Sequence, residues 1–204
     1  YYVHIGIGLV GWIAAIFALA AKKGSATHIW AGRIFIFCII IVAVTSLAML
    51  AQRMALPLLV AAITVVYAIA TAFLALQPAT RAVKRAEYGL FAAELLLLLI
   101  FVVGASVNVA AGNINPIGPI MITAIPIILL AGDINFFRKP ELRARLRVRR
   151  HLARMIWAVV IAVRAPVTEF YSALSLPIGF ILFGPLIIAP AIIWYFMRKQ
   201  PALN

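Results

Sequence analysis

The chain of 204 residues is 66% hydrophobic and 11% charged, with a mean hydropathy of +1.13. Soluble domains hold about 25% charged residues, so this composition excludes a soluble fold and points to an integral membrane protein. The net charge is +13, but the basic residues fall in short gaps between apolar runs, which points to membrane topology and anionic lipid headgroups rather than to nucleic acid.

About 20 apolar residues of helix cross a bilayer core. Seven runs meet that rule: Val3–Ala21, His28–Leu50, Leu56–Leu76, Tyr88–Ala111, Pro116–Ile134, Leu152–Val167 and Leu174–Met197. The expected fold is all-α, a single transmembrane domain over residues 1–204, because the gaps are too short for a second domain.

The first run carries His4 and the segment "GIGLVG", Gly6 to Gly11, which reads as a close helix-packing face. It has no basic leader and no clear cleavage site, so a cleavable signal peptide is not expected. The second run opens on "KKGSATHIWAGRIF" and takes His28 and Arg33 into apolar helix. Its lone Cys38 reads as a small buried hydrophobe, since there is no disulfide framework or thiolate metal cluster. Glu94 enters the fourth run. The fifth holds Pro116, Pro119 and Pro126, and the seventh Pro177, Pro185 and Pro190. These kinks set packing geometry or, alternatively, break helices that line a transport site. The basic segment "RKPELRARLRVRRHLARM" is expected to lie in the headgroups as an amphipathic helix, with Leu142, Leu146 and Val148 facing the apolar side, or to form a solvated loop.

With the first residue outside, the inner gaps and the tail hold 14 of the 18 basic residues. The outer gaps hold Arg53 and little else. That asymmetry sets the N-terminus outside and the C-terminus in the cytoplasm. His28, Arg33, Glu94, Asp133, His151 and Arg154 then share the cytoplasmic leaflet, while His4, Arg164 and Glu169 stay near the outer one. An unpaired membrane charge is costly, so Arg33 either meets Glu94, which reaches similar depth from the same face, or snorkels to the headgroups. Glu94 and Asp133 thus belong to a polar cluster that neutralises itself.

Two imidazoles at one depth on different helices are also what axial haem ligation needs. His28 and His151 are the candidate ligands, Arg33 and Arg154 suit the propionates, and Gly32 would let a macrocycle approach the backbone. A retinal Schiff base has no lysine within a span to form on, and no hydrolase, zinc-protease or phosphate-loop motif is present.

"YVHIGIGLVGWIAAIFALAAKKGSATHIWAGRIF", followed after the basic segment by "RRHLARMIWAVVIA", resembles a family of bacterial polytopic membrane proteins of unknown function. Its members show a first-helix histidine, a His-(Arg)-x-x-Gly-Arg segment and a late His-x-x-(Trp/Arg)-Met segment. Here these are His4; His28, Gly32 and Arg33; and His151, Arg154 and Met155. Ile29 replaces the usual arginine and the His-to-Gly spacing is four. The resemblance implies a bundle in the bacterial cytoplasmic membrane and carries no reaction.

The leading expectation is a non-enzymatic multi-pass protein, a binding or accessory subunit packed against lipid or other membrane subunits. The alternative is a b-type haem electron carrier, and the third a small-solute transporter.

Overall fold

The computed structural model describes residues 2–50, 56–169, 175 and 177–199. Arg53 lies outside the described residues, as do Leu174 and the side chain of Glu169. The helices are α1 (Tyr2–Ala20), α2 (Ala26–Leu50), α3 (Leu56–Leu76), α4 (Arg81–Ala110), α5 (Ile117–Phe137), α6 (Arg143–Glu169) and α7 (Ile178–Arg198). A short 3₁₀ turn, Pro140–Leu142, precedes α6. All seven helices are long and apolar enough to cross a membrane. The protein is an all-α integral membrane fold, with no strand among the described residues.

Two helices begin earlier than hydropathy suggests. The Thr80 hydroxyl caps α4 by accepting from the Val83 N–H at 3.2 Å, so the charged turn from Arg81 is helical although polar. The basic segment before His151 is neither a separate surface helix nor a loop: it runs straight into the sixth span as α6. It is rich in Arg, Leu and Ala, which are strong helix formers, and Arg143 and Arg150 are held by carboxylates on α4 and α5. His151 therefore sits eight residues inside α6, not at its mouth.

Helices α5 and α7 run continuously through Pro126, Pro185 and Pro190. The broken-helix expectation fails for both. Pro126 is fully buried, so it belongs to the packed interior of α5.

Helix α3 is the centre of the bundle and packs against α2, α4, α5 and α6. Its buried face carries Ala62, Thr64, Ala68, Thr71, Ala72 and Ala75. Small residues let neighbouring backbones approach closely, which drives helix association in lipid. At the rim, α1 lies on α2. A Cβ built on Gly11 would meet Cys38 Cβ at 3.1 Å, one on Gly8 would meet Val42 at 3.8 Å, and one on Gly6 would meet nothing within 4 Å. Gly8 and Gly11 form the packing face, and Cys38 is its buried counterpart.

Gly11→Leu should force α1 off α2 and cost ~1–3 kcal/mol, the usual range for overpacking. A clear fall in the melting temperature in detergent is the expected result, with Gly6→Leu close to wild type as the control.

Candidate functional site

The polar residues of the interior fall on helical stripes. Thr64, Tyr67 and Thr71 lie on one face of α3, and Glu87 and Glu94 are seven residues apart on α4. Arg143, Arg147, Arg150 and Arg154 follow a 4-3-4 spacing on α6. Residues at i, i+4 and i+7 share a helix face, so these stripes turn inward, with Arg147 alone of the named residues left exposed at the end of the bundle. Asp133 completes the set from α5 and is 0% exposed.

These stripes interlock. The Arg143 guanidinium donates to Glu87 Oε2 at 2.7 Å, and Arg150 Nη1 donates to Glu87 Oε1 at 2.5 Å. Arg150 Nε also donates to Asp133 Oδ1 at 3.0 Å. Arg154 donates to the same Asp133 oxygen and, at 2.5 Å, to the Leu129 carbonyl. The Tyr67 hydroxyl donates to Asp133 Oδ2. The arginines are further supported by aromatic faces, with Arg150 4.2 Å from the Phe136 centroid and Arg154 5.1 Å from that of Tyr67. Cation–π contacts of this kind are strongest when desolvated.

Glu94 lies deeper. It is thirteen residues from Arg81, about 20 Å along α4 at a ~1.5 Å rise per residue. Its Oε1 accepts from the Thr64 hydroxyl at 2.7 Å. Its Oε2 and the Arg154 Nη1 are both buried without a hydrogen-bond partner among the described residues, and the two groups sense each other's charge.

The expected Arg33–Glu94 pair does not form. Glu94 is buried, whereas Arg33 is exposed and rests over the Trp30 ring at 5.4 Å. The reason is azimuth. The buried face of α2 is Ala31, Phe35, Cys38 and Ile39, and Arg33 stands two residues, about 200° of helix rotation, from both Ala31 and Phe35. Asp133 and Arg154, assigned to the cluster and to a propionate site respectively, are joined to each other instead. Arg154 is spent on Asp133 and Leu129 and is not free to hold a propionate.

The histidines form a separate feature at the same end of the bundle. His28 Nδ1 lies 2.9 Å from the Ala18 carbonyl of α1, and His151 Nδ1 lies 3.1 Å from the Ala72 carbonyl of α3. A carbonyl only accepts, so each Nδ1 carries its proton, and in the neutral ring the lone pair is on Nε2. Neither Nε2 has a hydrogen-bond partner among the described residues. Helix α2 packs on α1 and α3, and α6 on α3 and α7, with no extensive contact between α2 and α6. Lys23 closes this end by donating to the Ala18 and Leu19 carbonyls at 3.1 and 2.8 Å, 4.7 Å from the Phe196 centroid of α7. Partial burial holds the Lys23 ammonium below the ordinary lysine pKa.

At the opposite end, His4 Nδ1 bonds the Thr45 hydroxyl at 2.9 Å and Arg164 donates to the Met121 carbonyl at 3.1 Å.

Sequence reading missed Glu87, which it left in a gap, and did not single out Thr64, Tyr67, Arg143 or Arg150. The signal was the helical spacing of the α3 and α6 stripes. No protein-family model matches the chain, and no curated protein or solved structure is similar to it.

Asp133→Asn should leave Arg154 without its carboxylate and Arg150 with Glu87 alone, and destabilise the bundle by ~3–5 kcal/mol. Arg154→Gln added to it should recover part of that loss. Arg33→Gln and Glu94→Gln should instead be additive, because no contact couples them. Thermal unfolding of the single variants and of the two double variants in one detergent checks both statements.

Proposed function

We propose that this is a multi-pass membrane protein that carries electrons through a b-type haem held between His28 and His151. The observation behind this reading is the state of the two rings. Each is fixed by a backbone carbonyl at Nδ1 and keeps a lone pair at Nε2. This is how proteins prepare imidazole for an iron, since the second-shell hydrogen bond sets tautomer and orientation. The two bonded carbonyls, at Ala18 near the end of α1 and Ala72 near the end of α3, set both rings toward the same end of the bundle. Gly32, one turn from His28, has no atom within 4 Å of an added Cβ and leaves room beside it. Arg33 makes no ion pair among the described residues, but it is exposed and turned away from the bundle, so a propionate would have to be met by water or headgroups rather than by Arg33.

His28 and His151 would hold the haem, which would supply one-electron transfer there. The chain's own part is to hold both imidazoles neutral, fix their planes and exclude water from the interior.

A second reading is a non-enzymatic accessory subunit packed against lipid or another membrane protein. It is supported by the use of the carboxylates: Glu87 and Asp133 are consumed in ion pairs and Glu94 is bonded to Thr64. The broad apolar outer face of α1, α4 and α7 suits lipid or such a partner.

A visible spectrum of the purified protein separates the two. The haem reading expects a Soret band that shifts on reduction and is lost in His28→Ala and in His151→Ala. His4→Ala should keep it, because His4 lies at the other end of the bundle, ~30 Å away across the hydrocarbon core. A colourless wild-type protein, still colourless after expression with added haem, sinks this reading and leaves the accessory one.

We also infer that the basic end faces the cytoplasm of a bacterial cell, supported by the positive residues gathered there. Single cysteines in a Cys38→Ser background should label from inside at Arg145 and from outside at Asn113. The reverse pattern would overturn the orientation.

A further inference from the structure

We propose that a cavity at the basic end of the bundle binds a phosphate group, gripped by Lys84, Arg143 and Arg147. This proposal is independent of the haem reading. The cavity has a volume of about 350 Å³ and lies where the end of α3, the first turns of α4, the end of α5 and the start of α6 converge. That volume falls within the ~300–1,000 Å³ of ordinary small-ligand pockets.

Its charge is unbalanced. Glu87 lines the wall, but both its oxygens are taken, one by Arg143 and one by Arg150. Arg143 keeps a buried Nη2 with no hydrogen-bond partner among the described residues. Its guanidinium is steadied by the Phe136 ring, 4.9 Å from the centroid. Lys84 and Arg147 line the same cavity and make no ion pair among the described residues. Against these three cations stands one exposed lining carboxylate, Glu141. A phosphate presents several acceptor oxygens at once and is met by converging Arg and Lys donors.

The lining is also aromatic. Tyr88 and Phe137 pack with ring centroids 4.6 Å apart and both line the cavity. A site that combines cations with aromatic rings suits a phosphate carried on a less polar body. Two sources offer that chemistry: the headgroup of an acidic phospholipid and a soluble phosphate ester. The cavity lies at the end of the spans, at the level where headgroups reside.

The test uses the full chain in detergent, read by native mass spectrometry and by thermal shift. The probes are phosphatidylglycerol, phosphatidylcholine and inorganic phosphate. The comparison variant is Lys84→Gln/Arg147→Gln, which leaves the Arg143–Glu87 pair intact. Wild type should retain a single phosphatidylglycerol more strongly than phosphatidylcholine. The double variant should lose affinity by roughly five-fold per cation removed, about 25-fold in total. If the double variant does not fold, Lys84→Gln alone, at an exposed position in the first turn of α4, should show the five-fold loss. Stabilisation by inorganic phosphate in wild type, absent in the variant and without lipid preference, would assign the site to a soluble phosphate. Equal retention of both lipids with no phosphate effect overturns the proposal, as does a wild-type response that the variant reproduces.

Discussion

A carboxylate fully buried in a lipid-spanning bundle must be met by donors on every side, and Asp133 is where that demand is greatest. Water is not there to solvate it, and an uncompensated charge at that depth costs several kcal/mol. The chain answers with one hydroxyl and two guanidinium groups, from Tyr67, Arg150 and Arg154. Because these donors come from α3 and α6, the contact ties α3, α5 and α6 into one unit. Dispersion between apolar helices in lipid is nearly indifferent to which helix meets which, whereas a charge pair fixes rotation and register together. Arg154 extends the clamp to the Leu129 backbone, so the lock includes the main chain of α5.

The histidines inherit their geometry from that lock. Helix α6 cannot rotate without pulling Arg150 and Arg154 away from Asp133, so His151, between those two arginines in sequence, has a fixed bearing toward α3. There the small side chains of α3 expose a carbonyl for it to bond, at Ala72. The same logic runs on the other side. The Gly11 contact draws α1 onto α2, and the end of α1 offers the Ala18 carbonyl to His28. Two unrelated packing devices, a salt-bridge clamp and a glycine contact, therefore orient the two imidazoles.

Seven spans were legible because hydropathy over some 20 residues integrates many weak signals. Helix ends were not legible wherever the helix continues past the apolar run. Arg81–Glu87 and Arg143–Arg150 are helical although charged, since a cap and cross-helix ion pairs replace lipid as the source of stability. The site was half legible. Depth along a span could be counted, and it placed His28, Glu94, Asp133, His151 and Arg154 toward one end of the bundle. Azimuth could not be read from depth, so Arg33 was matched with Glu94 although it faces away from the bundle. The residues that do meet the buried carboxylates lie on stripes marked by periodicity instead: Thr64 and Tyr67 on α3, and Arg143, Arg150 and Arg154 on α6. A polar stripe at helical spacing tells which way a helix turns, and a single charged residue does not.

Charge accounting explains why the network ends where it does. Arg143, Arg150 and Arg154 face Glu87, Asp133 and Glu94, three cations and three carboxylates, all buried or nearly so. Glu94 touches no guanidinium and is held by the Thr64 hydroxyl instead. Among the described residues each of the three arginines has a carboxylate partner inside the bundle. The next basic residues at that end, Arg147 on α6 and Lys84 on α4, make no ion pair among the described residues. Of the carboxylates lining their cavity only the exposed Glu141 is left to face them. That imbalance is what the proposed phosphate site would relieve, with the bilayer surface one source of negative charge.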